Sequence, residues 1–193
     1  MTDLICDLHD VSHSPAGHSY QQLSSHDCPR IEAFFLSFDF DQRRAYFGGG
    51  MSDHAIVEFC RSIDWTRTEL IARSGRYCLE SLAIIVALPG DGTRAELAVV
   101  CPLMCDQRRI MSELLANVIE FAAIRYRRLL VRREGAHPDL VAELRHSMLA
   151  TFAGEEIRID LGRIEMDARL SVDLLSPQSP APLEESSCLY PPC

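Results

Sequence analysis

Two apolar stretches near the middle of the chain have the length and composition of β-strands. The first, Leu79 to Leu88, is apolar on both faces from Leu82 onward, which is typical of a central strand. The second runs from Arg94 to Pro102, and Pro89 to Thr93 between them is rich in turn-forming residues. A turn of this kind between two strands predicts an antiparallel pair.

A long amphipathic segment follows the second of these strands. Asp106 can cap its first turn, and several arginines near its end suit the negative end of a helix dipole. Its apolar residues recur at helical spacing: Ile110, Leu114, Val118, Phe121 and Ala122. Leu129 to Arg132 then reads as a strand. Because it follows the preceding strand through a helix, we expect the two strands to be parallel.

The sequence after Arg132 predicts one more helix and two closing strands. The helix is expected over Asp139 to Phe152, with Gly154 ending it. Its inward residues are expected to be Leu140, Leu144 and Met148. The closing strands are Glu156 to Leu161 and Arg163 to Leu170.

The N-terminal half predicts a strand, two helices and a further strand. The strands are Tyr20 to Leu23 and Glu69 to Arg73, and Ser52 is the predicted N-cap of the second helix. Gly48 to Gly50 separates the helices as a hinge or turn. Core residues expected in the first helical region are Ile31, Phe34, Phe35 and Phe38, and in the second Ile56, Val57, Phe59, Cys60 and Ile63.

These elements predict a single α/β (α+β) domain over residues 20–171. Its mixed central sheet has a mainly antiparallel N-terminal half, a long helix after the fourth strand and flanking helices. Residues 1–19 lack apolar periodicity and are expected to form a flexible leader, while residues 172–193 form a Pro-rich, disordered tail. His9 and His13 could share a helix face as metal ligands do, but Pro15 and Gly17 interrupt any helix, so no metal site is predicted.

Composition narrows the classes of function. The net charge is −9, which argues against general nucleic-acid binding. All 19 basic residues are arginine, so lysine chemistry is excluded. The apolar runs are too short to span a membrane, and the start has no basic segment followed by a long apolar one, as a signal peptide would. We therefore expect a cytoplasmic protein with reduced thiols and no membrane partner.

The order of elements resembles that of the GNAT acetyltransferase superfamily. Local sequence agrees: Phe34-Phe35, then Gln42 to Gly49, then Ser52 to Ile56 resemble the first two helices of a bacterial subgroup. Ala95 to Val100 resembles its fourth strand. The resemblance covers about residues 20 to 170 and implies acetyl-CoA as co-substrate and an amine as acceptor. A homodimer is a possible oligomeric state.

The resemblance also implies a pyrophosphate loop where the long helix begins. The superfamily holds acetyl-CoA there with a Gln/Arg-x-x-Gly-x-Gly/Ala loop, whose glycines let the backbone approach the phosphates. The matching residues are Gln107, Arg108, Arg109, Ile110, Met111 and Ser112. Gln107 and Ser112 fit the pattern, whereas Ile110 stands where glycine is expected. A branched side chain there could obstruct the pyrophosphate or force another backbone path, which makes the loop degenerate.

The resemblance assigns some of the superfamily's catalytic roles to residues of this chain. Glu96 matches the glutamate that serves as general base in some relatives, and on its strand it alternates with Ala98 and Val100. A carboxylate among apolar neighbours would have a raised pKa, as a base needs; the other reading is a carboxylate paired with Arg94 or another arginine. The backbone of Val99, Val100 and Cys101 would orient the acetyl group.

The general acid is the less well matched of the catalytic groups. In relatives the acid is often a tyrosine on the helix after the fifth strand, and none occurs there. His137 and His146 are the candidates near that helix whose residue type titrates near neutral pH. Cys101 and Cys105 could form a redox or acylation site, although buried cysteines are more often small apolar residues.

Two functions remain open at this point. The first is an acetyl-CoA-dependent N-acetyltransferase that acts on a small molecule or a protein. The second is a catalytically degenerate GNAT-like domain that binds acyl-CoA or a protein partner without turnover.

Overall fold

The computed structural model describes residues 19–75, 78–90, 92–102 and 107–162. Several expectations fall outside these ranges: the leader with His9 and His13, the Asp106 cap, the Cys105 partner of Cys101, the strand Arg163 to Leu170 and the Pro-rich tail. Among the helices of the described residues, none combines the length and the hydropathy of a membrane span.

The domain is built on a seven-stranded mixed sheet with the order β1-β2-β3-β4-β5-β7-β6. The strands are β1 Ser19–Leu23, β2 Thr68–Ser74, β3 Leu79–Ala87, β4 Arg94–Val100, β5 Arg128–Arg132, β6 Ala150–Ala153 and β7 Glu156–Asp160. Strands β1 to β4 are antiparallel neighbours, and β4 and β5 are parallel. The predicted fold class, the antiparallel N-terminal half and the parallel β4–β5 pair are confirmed.

Helices cover both faces of this sheet. They are α1 Cys28–Leu36, α2 Phe40–Phe47, α3 Asp53–Arg61, α4 Gln107–Ala123 and α5 Pro138–His146. Helix α4 packs on one face, where Met111, Leu114 and Val118 are fully buried against β2 to β5. Helices α1 and α3 pack on the other face, through Ile31, Phe35 and Ile56 among others. Burial of an apolar stripe from each helix on the sheet therefore produces two core layers.

Helix α2 is an element that the sequence analysis did not separate from its surroundings. Asp39 is its N-cap: its carboxylate accepts a hydrogen bond from the N–H of Gln42, whose side chain accepts one from the N–H of Asp39. This reciprocal pair is a capping box, which satisfies two helix-terminal donors. Gly48 ends the helix in the left-handed conformation with φ of 70°, which glycine adopts at little cost.

The region after α5 differs from the expected helix. Helix α5 ends at His146, eight residues before Gly154 by chain number, and Ala150–Ala153 form strand β6. Gly154, with φ of 61°, lies in the turn of the β6–β7 hairpin rather than at a helix end. The predicted inward position of Met148 is wrong, because that side chain is 90% exposed. Pairing with β7 satisfies the backbone of this segment, and this tertiary contact outweighs its helical pattern.

Candidate active site

The sheet opens between β4 and β5. The two strands pair only at Arg94–Arg128, Ala95–Leu129 and Glu96–Leu130, so three of the seven residues of β4 have partners in β5. Beyond Glu96 the strands diverge, and among the described residues this edge of β4 has no strand neighbour. Because parallel strands end at the same sheet edge, this gap faces the start of α4, which follows β4 in the chain.

A cavity of about 280 Å³ occupies the gap. Its walls are largely apolar, and they come from the unpaired end of β4, the end of β5 and helices α1 to α3. Polar groups at its margin are Glu96, Arg132 and Glu134. A second cavity of about 360 Å³ lies between α2 and the start of α5 and shares Tyr46, Gly135 and Ala136 with the first. The shared residues show that the two cavities adjoin, and together we call them the cleft, whose concave shape suits a small ligand.

Glu96 lies where β4 and β5 separate. Its side chain is 32% exposed, and its Oε1 lies 2.7 Å from Nε of Arg132 at the end of β5. The prediction that Glu96 has purely apolar neighbours is therefore wrong. The alternative interpretation, in which Glu96 pairs with an arginine, describes the contact. Since Arg132 is 75% exposed, solvent screens the pair and the arginine can move away at small cost.

The end of β4 is buried on both faces of the sheet. Val99 packs in the α4 layer, and Val100 packs in the layer under α1 and α3. Cys101 is fully buried, and burial raises the pKa of its thiol to about 11. Such a thiol is protonated and unreactive at neutral pH. Its environment therefore favours the interpretation that Cys101 serves as a small apolar residue.

The residues predicted for the pyrophosphate loop divide into two groups. Arg108, Arg109 and Ser112 are exposed, whereas Ile110 and Met111 are buried in the core under α4. The side chain of Ile110 is 4% exposed and packs on the sheet. It therefore does not point outward, where it would obstruct a phosphate. The start of α4 exposes arginines and buries its apolar side chains, as an amphipathic helix does.

Both arginines at the start of α4 have carboxylate partners. Nε of Arg108 lies 2.9 Å from Oε1 of Glu143 on α5, and Arg109 lies 3.2 Å from Glu113 one turn further along α4. These contacts are on the surface and each contributes little to stability. An anionic ligand could therefore recruit either guanidinium at small cost.

Gln107 connects the end of β4 to the start of α5. Its Nε2 donates to the carbonyl of Cys101 at 3.1 Å and lies 2.6 Å from Nε2 of His137. His137 is the N-cap of α5, and its Nδ1 accepts a hydrogen bond from the N–H of Asp139. Burial lowers the pKa of His137, and the carboxylate of Asp139 acts in the opposite direction more weakly. The predicted titratable candidate His137 thus lines the cleft, whereas His146 is exposed at the other end of α5.

Stability should fall as the pH is lowered below the ordinary histidine pKa of about 6.5. Because the pKa of His137 is lower in the folded state, the unfolded chain binds the proton first and the free energy of unfolding decreases until the folded form also protonates. His137→Asn keeps a capping acceptor without titrating, so urea unfolding between about pH 7.5 and about pH 5.5 should show a smaller decrease. His54→Asn, at an exposed position, is the control. An equal decrease in both variants would contradict this assignment.

Ile110→Val tests whether Ile110 is a core residue. Removing one buried methylene should lower the free energy of unfolding by about 0.5–1.5 kcal/mol and leave the affinity for CoA unchanged. Ile124→Val is the matched control, since Ile124 is 82% exposed on the described surface. A gain in CoA affinity in the first variant would show that its side chain contacts the ligand after all.

Tyr46 is a cleft residue that sequence reasoning did not identify. It lies in the last turn of α2, and its hydroxyl lies 2.5 Å from the carbonyl oxygen and 3.1 Å from the amide nitrogen of Cys101. In the sequence it stands among aromatic residues that read as ordinary core. Only the fold brings α2 to the end of β4, because 55 residues separate the two partners.

Comparison with known proteins gives structural likenesses alone. No family model matches the chain, and no curated protein matches its sequence. A probable acetyltransferase of the GNAT family from Chromobacterium violaceum superposes with a TM-score of 0.59 at 13% identity, covering 80% of this chain and 96% of that one. The protein yncA from Salmonella typhimurium, solved with acetyl-CoA, gives 0.55 at 12% identity, with 75% and 94% covered.

A third likeness agrees with these two. The GNAT domain of PAT from S. lividans has a TM-score of 0.54 at 16% identity and covers 72% of this chain and 87% of that domain. At such low identities a likeness establishes architecture and leaves the chemistry to the residues of each chain. The seven-stranded sheet, the opening between β4 and β5 and the three superpositions together show that this chain has the fold of the GNAT acetyltransferases.

Proposed function

We propose that the protein is an acyltransferase that moves the acetyl group of acetyl-CoA to an amine. The observation that carries the proposal is the opening of the sheet after Glu96, with an unpaired β4 edge beside a cavity. An extended acyl-CoA arm can hydrogen-bond to such an edge as an added strand would. The structure described for yncA holds acetyl-CoA on the same fold, which supports this choice of co-substrate.

The surroundings of the cleft suit the two ends of acetyl-CoA. The backbone from Leu97 to Cys101, along the end of β4 and directly after it, would carry the acyl arm, and the start of α4 would receive the phosphates. Arg108 and Arg109 are exposed there, and the first N–H groups of a helix attract anions. Their carboxylate partners Glu143 and Glu113 are 20% and 31% exposed, and a doubly charged pyrophosphate could replace them at the exposed guanidinium groups.

Glu96 is the proposed general base. Its carboxylate lies at the margin of the cavity, directly before the unpaired part of β4. An amine reaches the pocket mostly protonated and must lose a proton before its lone pair can attack the thioester carbon. Its contact with Arg132 is largely exposed to solvent and can open when an amine binds.

The alternative is a domain that binds acyl-CoA without turnover. The contact of Arg132 with Glu96 favours it, because an arginine that stays in place would compete for the carboxylate. The absence of glycine at Ile110 has less weight than the sequence suggests, since that side chain points into the core.

Thermal unfolding with increasing acetyl-CoA or CoA tests binding first. A ligand that binds the native state raises the melting temperature with its concentration. Release of free CoA thiol in the presence of amines then tests turnover. Glu96→Gln should lower kcat by about 10²- to 10⁴-fold and leave the ligand-induced shift intact. Glu120→Gln, on the exposed side of α4, should behave as the unmodified protein.

The outcomes separate the candidates. A thermal shift without turnover on any amine would favour the binding domain, and no shift at millimolar ligand would exclude both functions. Turnover that survives in Glu96→Gln would keep the activity and remove Glu96 from its role.

A further inference from the structure

We propose that the amine acceptor is an α-amino acid with a large apolar side chain; this rests on the proposed acyltransferase function. The ion pair of Glu96 and Arg132 at the margin of the cleft binds the ammonium and carboxylate groups of the amino acid. Aromatic rings beside this pair and an adjoining apolar cavity hold the side chain.

The ion pair of Glu96 and Arg132 is complementary to an ammonium group beside a carboxylate. Nε and Nη2 of Arg132 lie 2.7 Å and 3.5 Å from the two carboxylate oxygens of Glu96. A guanidinium has several N–H donors in a planar fork, so it can bind a second carboxylate beside the first. Because Arg132 is 75% exposed, it can turn toward the carboxylate of a ligand while Glu96 accepts the ammonium.

The same pair makes a simple amine a poorer ligand than an amino acid. An amine that reaches Glu96 displaces Arg132, and the guanidinium then repels the ammonium beside it. An α-amino acid supplies a carboxylate in exchange, so neither member of the pair is left without an opposite charge. Glu134 also lies at the cavity margin, but its side chain is exposed and solvent screens its charge from the ligand carboxylate.

The apolar wall of the cleft is a cluster of three phenylalanine rings. Phe35, Phe47 and Phe59 contact one another edge to face, with ring centroids 5.3, 5.8 and 5.5 Å apart. All three line the cavity that also contains Glu96. Phe47 and Phe59 are half-buried, so part of each ring is available to a ligand. A large apolar side chain buries this surface on binding, whereas a polar side chain loses its hydration there.

The sheet continues this apolar surface as the floor of the cleft. Ile84 and Val86 of β3 pair with Ala98 and Glu96 of β4, so the four side chains lie on one face of the sheet. Ala98 is exposed although β4 is a central strand, which shows that the helices leave this part of the face uncovered. Neighbouring strands are about 4.8 Å apart, so a side chain attached next to an ammonium at Glu96 reaches β3.

A further apolar cavity gives a large side chain room. It has a volume of about 190 Å³ and shares Phe35, Phe59 and Ile84 with the cavity at the ion pair. Its polar groups are Ser62, Asp64 and Thr68, and the rest of its lining is apolar. A small amine leaves this space unfilled, so the cavity favours an acceptor with a bulky apolar body.

The transfer balances in protons and electrons. The ammonium of the amino acid gives a proton to Glu96, which passes it to solvent, and the freed lone pair forms a bond to the thioester carbon. The carbon–sulfur bond breaks with its electron pair on sulfur. The nitrogen then loses a second proton, and the thiolate takes up one. The products are an N-acetylamino acid, free CoA thiol and one proton released to solvent.

Acceptor specificity of the unmodified protein is the first test, with release of CoA thiol from acetyl-CoA as the readout. L-Phenylalaninamide lacks the carboxylate, so its kcat/KM should lie about 10- to 100-fold below that of L-phenylalanine. L-Serine keeps both charged groups and lacks the apolar side chain, so its kcat/KM should also be about 10- to 100-fold lower.

Arg132→Met tests the recognition of the carboxylate. KM for L-phenylalanine should rise about 10- to 100-fold, because the charged hydrogen bonds are lost, and kcat should change less than about threefold. KM for L-phenylalaninamide should change less than about threefold, because that acceptor has no carboxylate to lose its partner. Arg128→Met is the control: Arg128 is exposed at the opposite end of the same strand, and its replacement should alter neither KM.

Ala98→Leu tests the apolar half of the site. The larger side chain fills the floor beside the aromatic rings, so KM for L-phenylalanine should rise about tenfold or more. KM for L-alanine, whose methyl group needs little of this space, should change less than about threefold. Ala116→Leu, at an exposed position of α4, is the matched control and should change neither value.

The outcomes distinguish failure of the acceptor from failure of the proposed function. If Arg132→Met weakens the amino acid and its amide equally, Arg132 shapes the cleft and binds no carboxylate. If the unmodified protein acetylates the amide or L-serine better than L-phenylalanine, the acyltransferase remains and an apolar amino acid is excluded as its acceptor. If it acetylates no amine at all, the proposed function is wrong and the acceptor assignment falls with it.

Discussion

Arg43→Met should lower the free energy of unfolding by about 3–5 kcal/mol, because it leaves three backbone carbonyls without a charged donor. The Arg43 guanidinium donates to the carbonyls of Leu36 at 3.0 Å, Phe38 at 2.9 Å and Met51 at 3.1 Å. The carbonyl of Leu36 is at the C-terminal end of α1, and those of Phe38 and Met51 lie in the α1–α2 and α2–α3 connections. One side chain therefore joins a helix end and two connections whose carbonyls have no partner from regular secondary structure.

The ion pair of Arg43 adds little to this effect. Its Nη1 lies 2.6 Å from Asp53, but that carboxylate is 76% exposed and well screened. Asp53→Asn should therefore destabilise by less than about 1 kcal/mol. Chemical unfolding of both variants, with Arg44→Met at the exposed neighbouring position as control, measures the difference. Similar small effects at Arg43 and Asp53 would mean that the carbonyl contacts are replaced by water at no cost.

The same connection has a functional consequence. Helix α2 carries Tyr46 and reaches the cleft, and Arg43 anchors the start of that helix to its neighbours. A variant that lacks Arg43 but stays folded should have a more mobile α2. On heating, its acyltransferase activity should therefore be lost at a lower temperature than the one at which the core unfolds.

The sheet and its core could be predicted from the sequence because strong local patterns agreed with tertiary contacts. Leu82 to Ile85 is apolar on both faces, and the structure places this segment at the centre of the antiparallel half. Phe35 and Ile56 were expected inside and are buried. Where turn residues, alternation and helical spacing all point to one structure, the burial of apolar surface follows them.

The parts that sequence reasoning missed depend on contacts between distant segments. Helix α2 has a weak apolar face, and its capping box and arginine contacts define it instead. The segment that became β6 has helical spacing, but its pairing with β7 decides its structure. Tyr46 reaches Cys101 and Arg132 reaches Glu96 only through the arrangement of the sheet. The spacing of apolar residues, with a period of 3.6 in helices and 2 in strands, carries no information about contacts between such distant residues.

The largest remaining effect is expected at Arg73, a charged side chain that is 1% exposed. It extends from the end of β2 into the layer under α4, where Nη1 lies 3.2 Å from Glu80 and Nη2 lies 3.5 Å from Glu113. Removing one member of a buried charge network leaves the others less well compensated. We therefore expect Arg73→Met to lower the free energy of unfolding by about 3–5 kcal/mol.

The two carboxylates should not contribute equally to that loss. Glu113 keeps other donors, since the hydroxyl of Tyr20 bonds it at 3.0 Å and Arg109 lies 3.2 Å away. Burial and the carboxylate of Glu113 raise the pKa of Tyr20, so its hydroxyl stays protonated and continues to donate. Glu80 is only 14% exposed and loses a fully buried cation. In the Arg73→Met background, Glu80→Gln should therefore recover more stability than Glu113→Gln.

A double-mutant cycle decides whether the network stabilises the fold or merely tolerates its own burial. If Arg73 and Glu80 are coupled, the combined change should cost less than the sum of the single changes, by about 1–3 kcal/mol. Nε of Arg73 has no hydrogen-bond partner in the described structure, which already offsets part of the gain from the ion pairs. Arg109→Met, which removes a half-exposed partner of Glu113, is the control and should cost less than about 1 kcal/mol. An additive cycle would show that Arg73 stabilises the domain through packing of its aliphatic stem instead of its charge.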